Sequence, residues 1–252
     1  MYSKEQFAKM LDYTLLRPQA AWTEIVRLCD EAKRLHFASV VVFPFWVSLA
    51  ARRLAGSDVK TCTVIGFPFG ANTRATKLFE AGNAITHGAT ELDIVMNISA
   101  LKSGELGIVE REITELVGSA HMQGMTVDAK RTLIKIIIET AYLTDHEKVT
   151  ACEIARDAGA DFIKTSTGTA PTGATVEDIR LIRNTVGSGM GIKAAGGIRT
   201  VEQALAMLNA GANRIGTSNA VQIAEEYDPD AFLAESRRRL SSPDEKHEST
   251  DN

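Results

Sequence analysis

Short runs of β-branched and other apolar residues recur through the whole chain, separated in most cases by one segment with helical character. Runs of about 4 to 8 such residues that alternate with helices are typical of parallel sheets. Eight of them favour a closed parallel barrel over an open sheet. The sequence therefore predicts an α/β protein with the TIM (β/α)8 barrel fold, with candidate strands at DYTLL (12–16), SVVVF (39–43), TCTVIGF (61–67), ELDIVMN (91–97), LIKIIIE (133–139), DFIKTS (161–166), GIKAA (191–195) and RIGTS (214–218).

A weak internal repeat marks the junctions between helices and strands. The segments HGATELDIV, AGADFIKTS and AGANRIGTS each carry a glycine just before a candidate strand, at Gly88, Gly159 and Gly211. Glycine at this point can adopt the left-handed conformation that ends the preceding helix. The repeat supports a series of similar helix-to-strand units.

Helix-opening signals follow two of the later strands. Thr175 with Asp178, and Thr200 with Gln203, have the spacing of capping boxes. The loops after these strands therefore run into helix N-termini. In a barrel, this is the end where anions bind and active sites form.

The composition fits one globular domain with a large core. The chain has 252 residues, of which 44% are hydrophobic and 24% are charged. No internal boundary is visible, so we expect one barrel domain over residues 1–240, beginning with a short N-terminal helix. The polar segment 241–252 has no apolar anchor, and we expect it to be disordered.

Charge and cysteine content limit the partners and the compartment. A net charge of −4 argues against a broad basic surface, so we expect neither nucleic acid nor a membrane as partner. The three cysteines are widely spaced and lie in apolar segments, as reduced core thiols do. The N-terminal segment carries charges where a signal peptide is apolar, and the longest uncharged run, 37–51, is shorter than the about 20 residues of a membrane span. We therefore expect a soluble, cytoplasmic protein.

Two lysines lie in the middle of candidate strands, where lysine is uncommon. Lys164 stands in DFIKTSTG and Lys193 in GIKAAGGI. Burial inside a barrel lowers the pKa of a lysine by up to about 3–5 units, and a second ammonium about 6 Å away adds roughly two more. We expect Lys164 to be the desolvated amine that attacks a carbonyl, and Lys193 to be the charged neighbour; the alternative is that either lysine reaches solvent at the strand end.

Two carboxylates share these inward-facing positions. In ELDIVMN, Asp93 is flanked by Leu92 and Ile94, so strand alternation points it into the barrel. A buried carboxylate needs a cationic partner, and next to lysines Asp93 could transfer protons as a general acid and base. Asp12 on the first strand is a second inward carboxylate, with a structural hydrogen bond as an equal alternative.

The loops after the sixth, seventh and eighth strands predict a phosphate site. They contain TSTG (165–168), GGIR (196–199) and GTSN (216–219), which combine hydroxyl groups, an arginine and glycines that let backbone N–H groups approach an anion. The histidines show no ligand spacing, so no metal is expected. The chain lacks both a Walker sequence and a GxGxxG motif after a strand, so no nucleotide cofactor is expected.

From about residue 6 to 222 the chain carries, in this order, the motifs LDYTLLRP, VIGFPFGANT, GATELDIVMNISALKSG, KIIIET, DFIKTSTG, IKAAGGIRT and RIGTS. In these motifs it closely resembles the 2-deoxy-D-ribose-5-phosphate aldolases. The resemblance implies a metal-free class I aldolase that needs no cofactor and reversibly cleaves deoxyribose 5-phosphate to glyceraldehyde 3-phosphate and acetaldehyde. It implies that Lys164 forms the Schiff base, that Asp93 transfers protons, and that Lys193 lowers the pKa of the amine. It also implies phosphate contacts at Gly168, Gly196, Gly197, Arg199, Gly216 and Ser218.

Some positions depart from the family pattern. Tyr13 stands where histidine is frequent, and VVVFP, with Phe43, replaces the more usual VCVNP; both changes are expected to affect substrate fit or sensitivity to aldehydes. The chain ends in Asn252, whereas some relatives end in a tyrosine that assists proton transfer. The resemblance also implies a homodimer or homotetramer.

Three other functions stay open from the sequence. The first two are another Schiff-base aldolase acting on a phosphosugar and an isomerase, although the paired FIK and GIK strands argue against the isomerase. The third is a non-catalytic phosphosugar-binding barrel, which would use the lysines only as anion ligands and would have no use for Asp93 among buried amines.

Overall fold

The computed structural model describes residues 2–128 and 131–230. These residues form a closed barrel of parallel strands in which each strand pairs with its neighbours in sequence and the last strand pairs with the first. The expected tail, 241–252, and the end of the expected domain, 231–240, lie outside the described residues. The strands are β1 Leu11–Leu15, β2 Ser39–Val42, β3 Lys60–Ile65, β4 Glu91–Val95, β5 Leu133–Ile137, β6 Phe162–Lys164, β7 Gly191–Ala195 and β8 Arg214–Thr217.

Helices connect the strands and cover the outside of the barrel. The expected N-terminal helix is present as α1, with a capping box between Ser3 and Gln6. No helix in the described ranges combines the length and the apolar character needed to cross a membrane. The α-helices are α1 Lys4–Ala8, α2 Trp22–Arg34, α3 Val47–Leu54, α4 Arg74–Thr86, α5 Ile98–Lys102, α6 Leu106–Asp128, α7 Asp145–Asp157, α8 Val176–Val186, α9 Val201–Ala210 and α10 Ala220–Glu226, and short 3-10 turns occupy Pro44–Trp46 and Thr140–Tyr142.

The main core lies between the barrel and its helices. Strand residues such as Val40, Ile94 and Ile136 have no exposed surface and belong to one hydrophobic cluster with the inner faces of the helices. The alternate residues of the same strands point into the barrel, where charged and polar side chains replace part of the apolar filling. The fold therefore places ionisable groups in the barrel centre.

The junction signals are confirmed for the most part. Gly88, Gly159 and Gly211 all have positive φ angles, of 103°, 81° and 119°. Thr200 and Gln203 form a complete capping box at α9. The predicted capping box at α8 was wrong in part. The Thr175 hydroxyl accepts a hydrogen bond from the Asp178 N–H, as predicted. The Asp178 carboxylate, however, pairs with the Lys148 amine at 2.7 Å and does not bond back to the Thr175 N–H.

Candidate active site

The two predicted lysines are direct neighbours in the barrel. Lys164 on β6 pairs in register with Lys193 on β7. Their amines share one oxygen of Asp93: the Oδ2 atom lies 2.9 Å from Lys164 Nζ and 2.8 Å from Lys193 Nζ. Lys164 is 2% exposed, whereas Lys193 and Asp93 are fully buried. The geometry thus brings together the three residues that the sequence predicted as a group.

A third lysine holds the other oxygen of Asp93. Lys135 on β5 is in register with Asp93, and its Nζ lies 2.9 Å from Asp93 Oδ1 and 2.7 Å from Glu91 Oε2. The Cys62 thiol also donates to Asp93 Oδ1, at 3.2 Å. Asp93 is therefore fixed by partners on both oxygens.

Asp12 lies on the far side of the same network. Its Oδ2 atom is 2.6 Å from Lys193 Nζ, and Ser39 Oγ donates to Oδ1 at 2.7 Å. Arg214, at the start of β8, donates to Asp12 and, at 2.9 Å, to Glu91 Oε1. Asp12 thus contacts the second lysine and not the first. We refer below to the barrel charge cluster, meaning Asp12, Glu91, Asp93, Lys135, Lys164, Lys193 and Arg214.

The number of anionic partners distinguishes the three lysines. In the described part of the chain, Lys164 pairs with one carboxylate, that of Asp93, whereas Lys135 and Lys193 each pair with two. Burial lowers the pKa of Lys164, and the nearby Lys193 ammonium lowers it further. Asp93 acts in the opposite direction but does not outweigh the two. Burial also disfavours the charged form of Lys193, but Asp12 and Asp93 outweigh it and hold the Lys193 pKa above its usual value.

Asp93 and Lys135 also stay charged. Burial alone would raise the pKa of Asp93, but the ammonium groups of Lys135, Lys164 and Lys193 hold it well below its usual range. Burial is likewise outweighed at Lys135, whose pKa is raised well above normal by Asp93 and Glu91. The barrel charge cluster contains four basic and three acidic side chains, so its charges balance when one amine is neutral. Lys164 is the amine whose pKa is shifted in that direction.

A cavity of about 600 Å³ opens above this cluster at the carboxyl ends of the strands. Lys164 lines it, as do Tyr13 and Phe67. The loops that follow β6, β7 and β8 form one wall. All six residues of the predicted phosphate site line the cavity: these loops contribute Gly168, Gly196, Gly197, Arg199 and Ser218, and the end of β8 contributes Gly216.

The loops after β6 and β7 touch each other backbone to backbone. A Cβ atom on Gly173 would lie 2.0 Å from the Gly196 carbonyl oxygen, so only glycine fits there. Gly196 itself has a φ of 91°, in the region that favours glycine. The Ala174 N–H donates to the carbonyl oxygens of Ala195 and Gly196, at 3.1 and 3.2 Å. The two loops are therefore one rigid unit.

Two of the departures from the family pattern lie close to the cavity, and the third, at Asn252, lies outside the described residues. Tyr13 lines it, and its hydroxyl donates to Glu31 Oε2 at 2.9 Å; burial and this carboxylate raise the pKa of Tyr13 to about 12. Phe43 packs edge-on against Phe67, with ring centroids 5.9 Å apart. Tyr13 and Phe67 therefore give the cavity part of its lining in aromatic side chains.

Sequence reasoning missed three members of the cluster, namely Lys135, Glu91 and Arg214. The signal for Lys135 was present, because LIKIII repeats the apolar-flanked lysine of the FIK and GIK segments. Glu91 was also within reach, because it shares the inward face of β4 with Asp93. Within residues 2–128 and 131–230, no group of three or more His, Cys, Asp or Glu side chains is arranged to hold a metal ion.

Comparisons with known proteins assign this arrangement to a family. The model of the DeoC/LacD family aldolases matches residues 7–221. The chain belongs to this aldolase family. A deoxyribose-phosphate aldolase from Thermoanaerobacter pseudethanolicus is 56% identical over 220 residues, which cover 87% of this chain and 96% of that protein. One from Thermococcus gammatolerans is 54% identical over 220 residues, covering 86% and 95%.

A solved structure shows the same fold in the family. The deoxyribose phosphate aldolase from Aeropyrum pernix, described as a tetramer, superposes with a TM-score of 0.81 at 34% sequence identity. The match covers 88% of this chain and 91% of that one. The expected TIM barrel and the expected aldolase family are both confirmed, and this DeoC/LacD member is an aldehyde-lyase type of enzyme.

Proposed function

We propose that this DeoC/LacD aldolase is a class I deoxyribose-phosphate aldolase, which reversibly cleaves 2-deoxy-D-ribose 5-phosphate to D-glyceraldehyde 3-phosphate and acetaldehyde. One observation carries the proposal: the buried amine whose pKa is lowered, that of Lys164, lines the same cavity as the predicted phosphate loops. The amine would meet the aldehyde end of a phosphosugar whose other end is held by those loops.

The chemistry begins with the neutral amine of Lys164. It attacks C1 of the open-chain sugar, and loss of water gives a protonated imine. The imine withdraws electrons, so the bond between C2 and C3 breaks as the C3 hydroxyl loses its proton. Glyceraldehyde 3-phosphate leaves, and the remaining enamine gains a proton at C2. Water then hydrolyses the imine, which releases acetaldehyde and the free amine.

Asp93 and Lys193 manage the protons of these steps. Asp93 is ionised, so it acts first as a proton acceptor and returns the proton later. The Lys193 ammonium, 2.8 Å from the same carboxylate, keeps Lys164 easier to deprotonate and can donate a proton to the network. Asp12 supports the site indirectly, since it holds Lys193 charged.

The phosphate group is proposed to bind at Gly168, Gly196, Gly197, Arg199, Gly216 and Ser218. Positive φ angles at Gly168, Gly196 and Gly197 turn the backbone through conformations that bring N–H groups toward an anion. The N-terminus of α9 follows directly, with Arg199 next to its capping residue. No cofactor takes part in this scheme.

We propose that the partners are small molecules, namely the phosphosugar and acetaldehyde, and that the protein acts in the cytoplasm. We also propose a homodimer or homotetramer. The tetramer described for the Aeropyrum pernix relative supports self-association, as does Phe45, which is 82% exposed beside Trp46. Light scattering on the purified protein measures the assembly directly, and a monomer at micromolar concentration would contradict it.

The proposal is tested by measuring aldehyde release from deoxyribose 5-phosphate with a chelator present. Wild-type protein should turn over at an unchanged rate with the chelator, whereas Lys164→Leu should lose turnover and keep phosphate binding. A strict need for metal would contradict a Schiff-base mechanism. If Lys164→Leu lost phosphate affinity and the wild-type protein showed no turnover, the non-catalytic phosphosugar-binding barrel would be favoured.

A further inference from the structure

The backbone leaves β5 through an uncommon conformation at Glu139. Its φ and ψ angles are 52° and 68°, in the left-handed region that residues other than glycine seldom adopt. The residues on both sides still pair with the next segment: the Ile138 N–H donates to the Lys164 carbonyl at 3.1 Å and the Thr140 N–H to the Thr165 carbonyl at 3.0 Å. The kink is therefore confined to Glu139.

Glu139 is 3% exposed, and within the described part of the chain its carboxylate accepts hydrogen bonds from Thr167 alone. The Thr167 N–H donates to both carboxylate oxygens at 3.2 Å, and Thr167 Oγ1 donates to Oε2 at 2.5 Å. The Thr169 N–H donates in turn to Thr167 Oγ1, at 3.1 Å. A buried carboxylate that accepts several N–H and O–H bonds is a strong anchor for a loop.

The anchored segment is part of the cavity wall. Thr167, Gly168 and Thr169 all line the cavity that Lys164 lines, and Gly168 is one of the proposed phosphate contacts. Glu139 does not line that cavity; it faces a separate surface groove, together with Thr169. The contacts of Glu139 with the cavity wall therefore pass through the loop, and its charge also interacts with the Lys164 amine.

We propose that Glu139 is a positioning residue for the phosphate subsite, which holds segment 167–169 in the conformation that binds the phosphate end of the substrate. This inference rests on the proposed function for the identity of the substrate. The Lys164 amine is fixed independently by β6 and Asp93. Loss of the anchor should therefore weaken binding of the phosphate and spare the chemistry of the amine.

The test compares Glu139→Gln with wild type in two assays. Calorimetric titration with inorganic phosphate should show an affinity about tenfold lower for the variant, because the amide replaces the acceptor of the Thr167 hydroxyl with a donor. Steady-state kinetics should show KM for deoxyribose 5-phosphate raised by about the same factor, with kcat within about twofold. For deoxyribose, which lacks the phosphate, kcat/KM should stay within about twofold.

A matched control exists on another helix. Glu147, at the start of α7, accepts hydrogen bonds from the N–H and the hydroxyl of Thr144, as Glu139 does from Thr167, and it also pairs with Lys102 at 2.9 Å. Glu147→Gln should leave phosphate affinity unchanged. Thr167→Val should reproduce the loss, and Thr167→Ser, which keeps both donors, should retain wild-type affinity; thermal unfolding confirms that each variant is folded.

Equal phosphate affinity in wild type and Glu139→Gln would overturn the inference. So would a wild-type protein that does not bind phosphate, or equal losses in the Glu139 and Glu147 variants. A parallel fall of kcat/KM for deoxyribose and its phosphate would also contradict it. Failure of the proposed function would be distinguishable. In that case the wild-type protein would show no turnover of deoxyribose 5-phosphate, while the phosphate titration would still compare the affinities of wild type and Glu139→Gln.

Discussion

At the scale of single residues, the number of paired carboxylates distinguishes the pKa values of three lysines in the barrel. Lys135, Lys164 and Lys193 are all buried on adjacent strands. Burial lowers the pKa of Lys164, whereas attraction to carboxylates outweighs burial at Lys135 and Lys193 and raises their pKa values. The reason is that Lys164 pairs with one described carboxylate and each of the others with two. We propose that Lys164 is the nucleophile because it has one acidic partner fewer than the other two lysines.

Lys193→Gln should move the pH dependence of catalysis. Without the neighbouring ammonium, the pKa of Lys164 rises, so the acid limb of the kcat/KM profile should shift to higher pH by about one to two units, with lower kcat at neutral pH. The profile measured with deoxyribose 5-phosphate checks this shift. The half-exposed Lys33 provides the control: Lys33→Gln should leave the profile in place, and an unmoved profile in Lys193→Gln would rule out the proposed role.

At the scale of elements, the contact between two loops decides the shape of the cavity. The loop after β6 reaches the loop after β7 at Gly173, where the Gly196 carbonyl leaves no room for a side chain. The Ala174 N–H donates hydrogen bonds to the backbone of the second loop, so moving either loop to make room for a side chain would break these bonds. Two loops that each carry proposed phosphate contacts are thereby held together.

Gly173→Ala should therefore raise KM for deoxyribose 5-phosphate by at least about tenfold and lower stability by about 1–3 kcal/mol, as overpacking does. Steady-state kinetics and urea unfolding measure the two effects. Gly189→Ala is the matched control, because a Cβ at Gly189 meets nothing within 4 Å. Equal kinetics for the two variants would show that the contact between the loops is unimportant for binding.

Strand boundaries show what local sequence can and cannot predict at this scale. GIKAA was predicted at 191–195 and is β7, Gly191–Ala195, but DFIKTS was predicted at 161–166 and β6 ends at Lys164. Thr165 and Ser166, the last two residues of the predicted strand, lie outside β6, and Thr167 and Gly168 after them line the cavity. The proposed phosphate loops were predicted from their glycines, whereas the contacts of Gly173 and Glu139 exist only in the folded chain.

At the scale of the whole molecule, closure of the barrel brings the charged groups together. Asp93 and Lys164 are 71 residues apart in sequence, and Asp12 and Arg214 are 202 apart. Alternation along each strand predicted which face Asp93 and Lys164 occupy, and the family resemblance predicted their roles. The pairing of Lys135 with Asp93 depends on the register between β4 and β5, which no local pattern in the sequence specifies.

The barrel charge cluster also makes stability depend on pH. The pKa values of Asp12 and Asp93 are depressed in the folded chain, so their contribution is fully present above the unfolded value of about 4 and is lost as pH falls through the folded values. The free energy of unfolding should therefore fall in acid. Urea unfolding at about pH 7 and about pH 3 measures the decrease.

Asp93→Asn tests the origin of this dependence. The variant should be about 3–5 kcal/mol less stable at neutral pH, because it leaves buried ammonium groups without their counter-charge. Its stability should also fall less between neutral and acid pH than that of wild type. Asp157, whose side chain is 70% exposed, gives the control, since Asp157→Asn should change neither value. If the free energy of unfolding of Asp93→Asn fell between neutral and acid pH as much as that of wild type, the barrel charge cluster would not be the origin of the pH dependence.

Reduction with borohydride in the presence of acetaldehyde tests most directly whether Lys164 is the nucleophile. Reduction converts the imine to a stable secondary amine, and peptide mass mapping then locates the modified side chain. We predict one ethyl adduct, on Lys164, and none on Lys135 or Lys193, whose pKa values are raised. An unmodified Lys164, or an adduct on Lys193 in its place, would contradict the account.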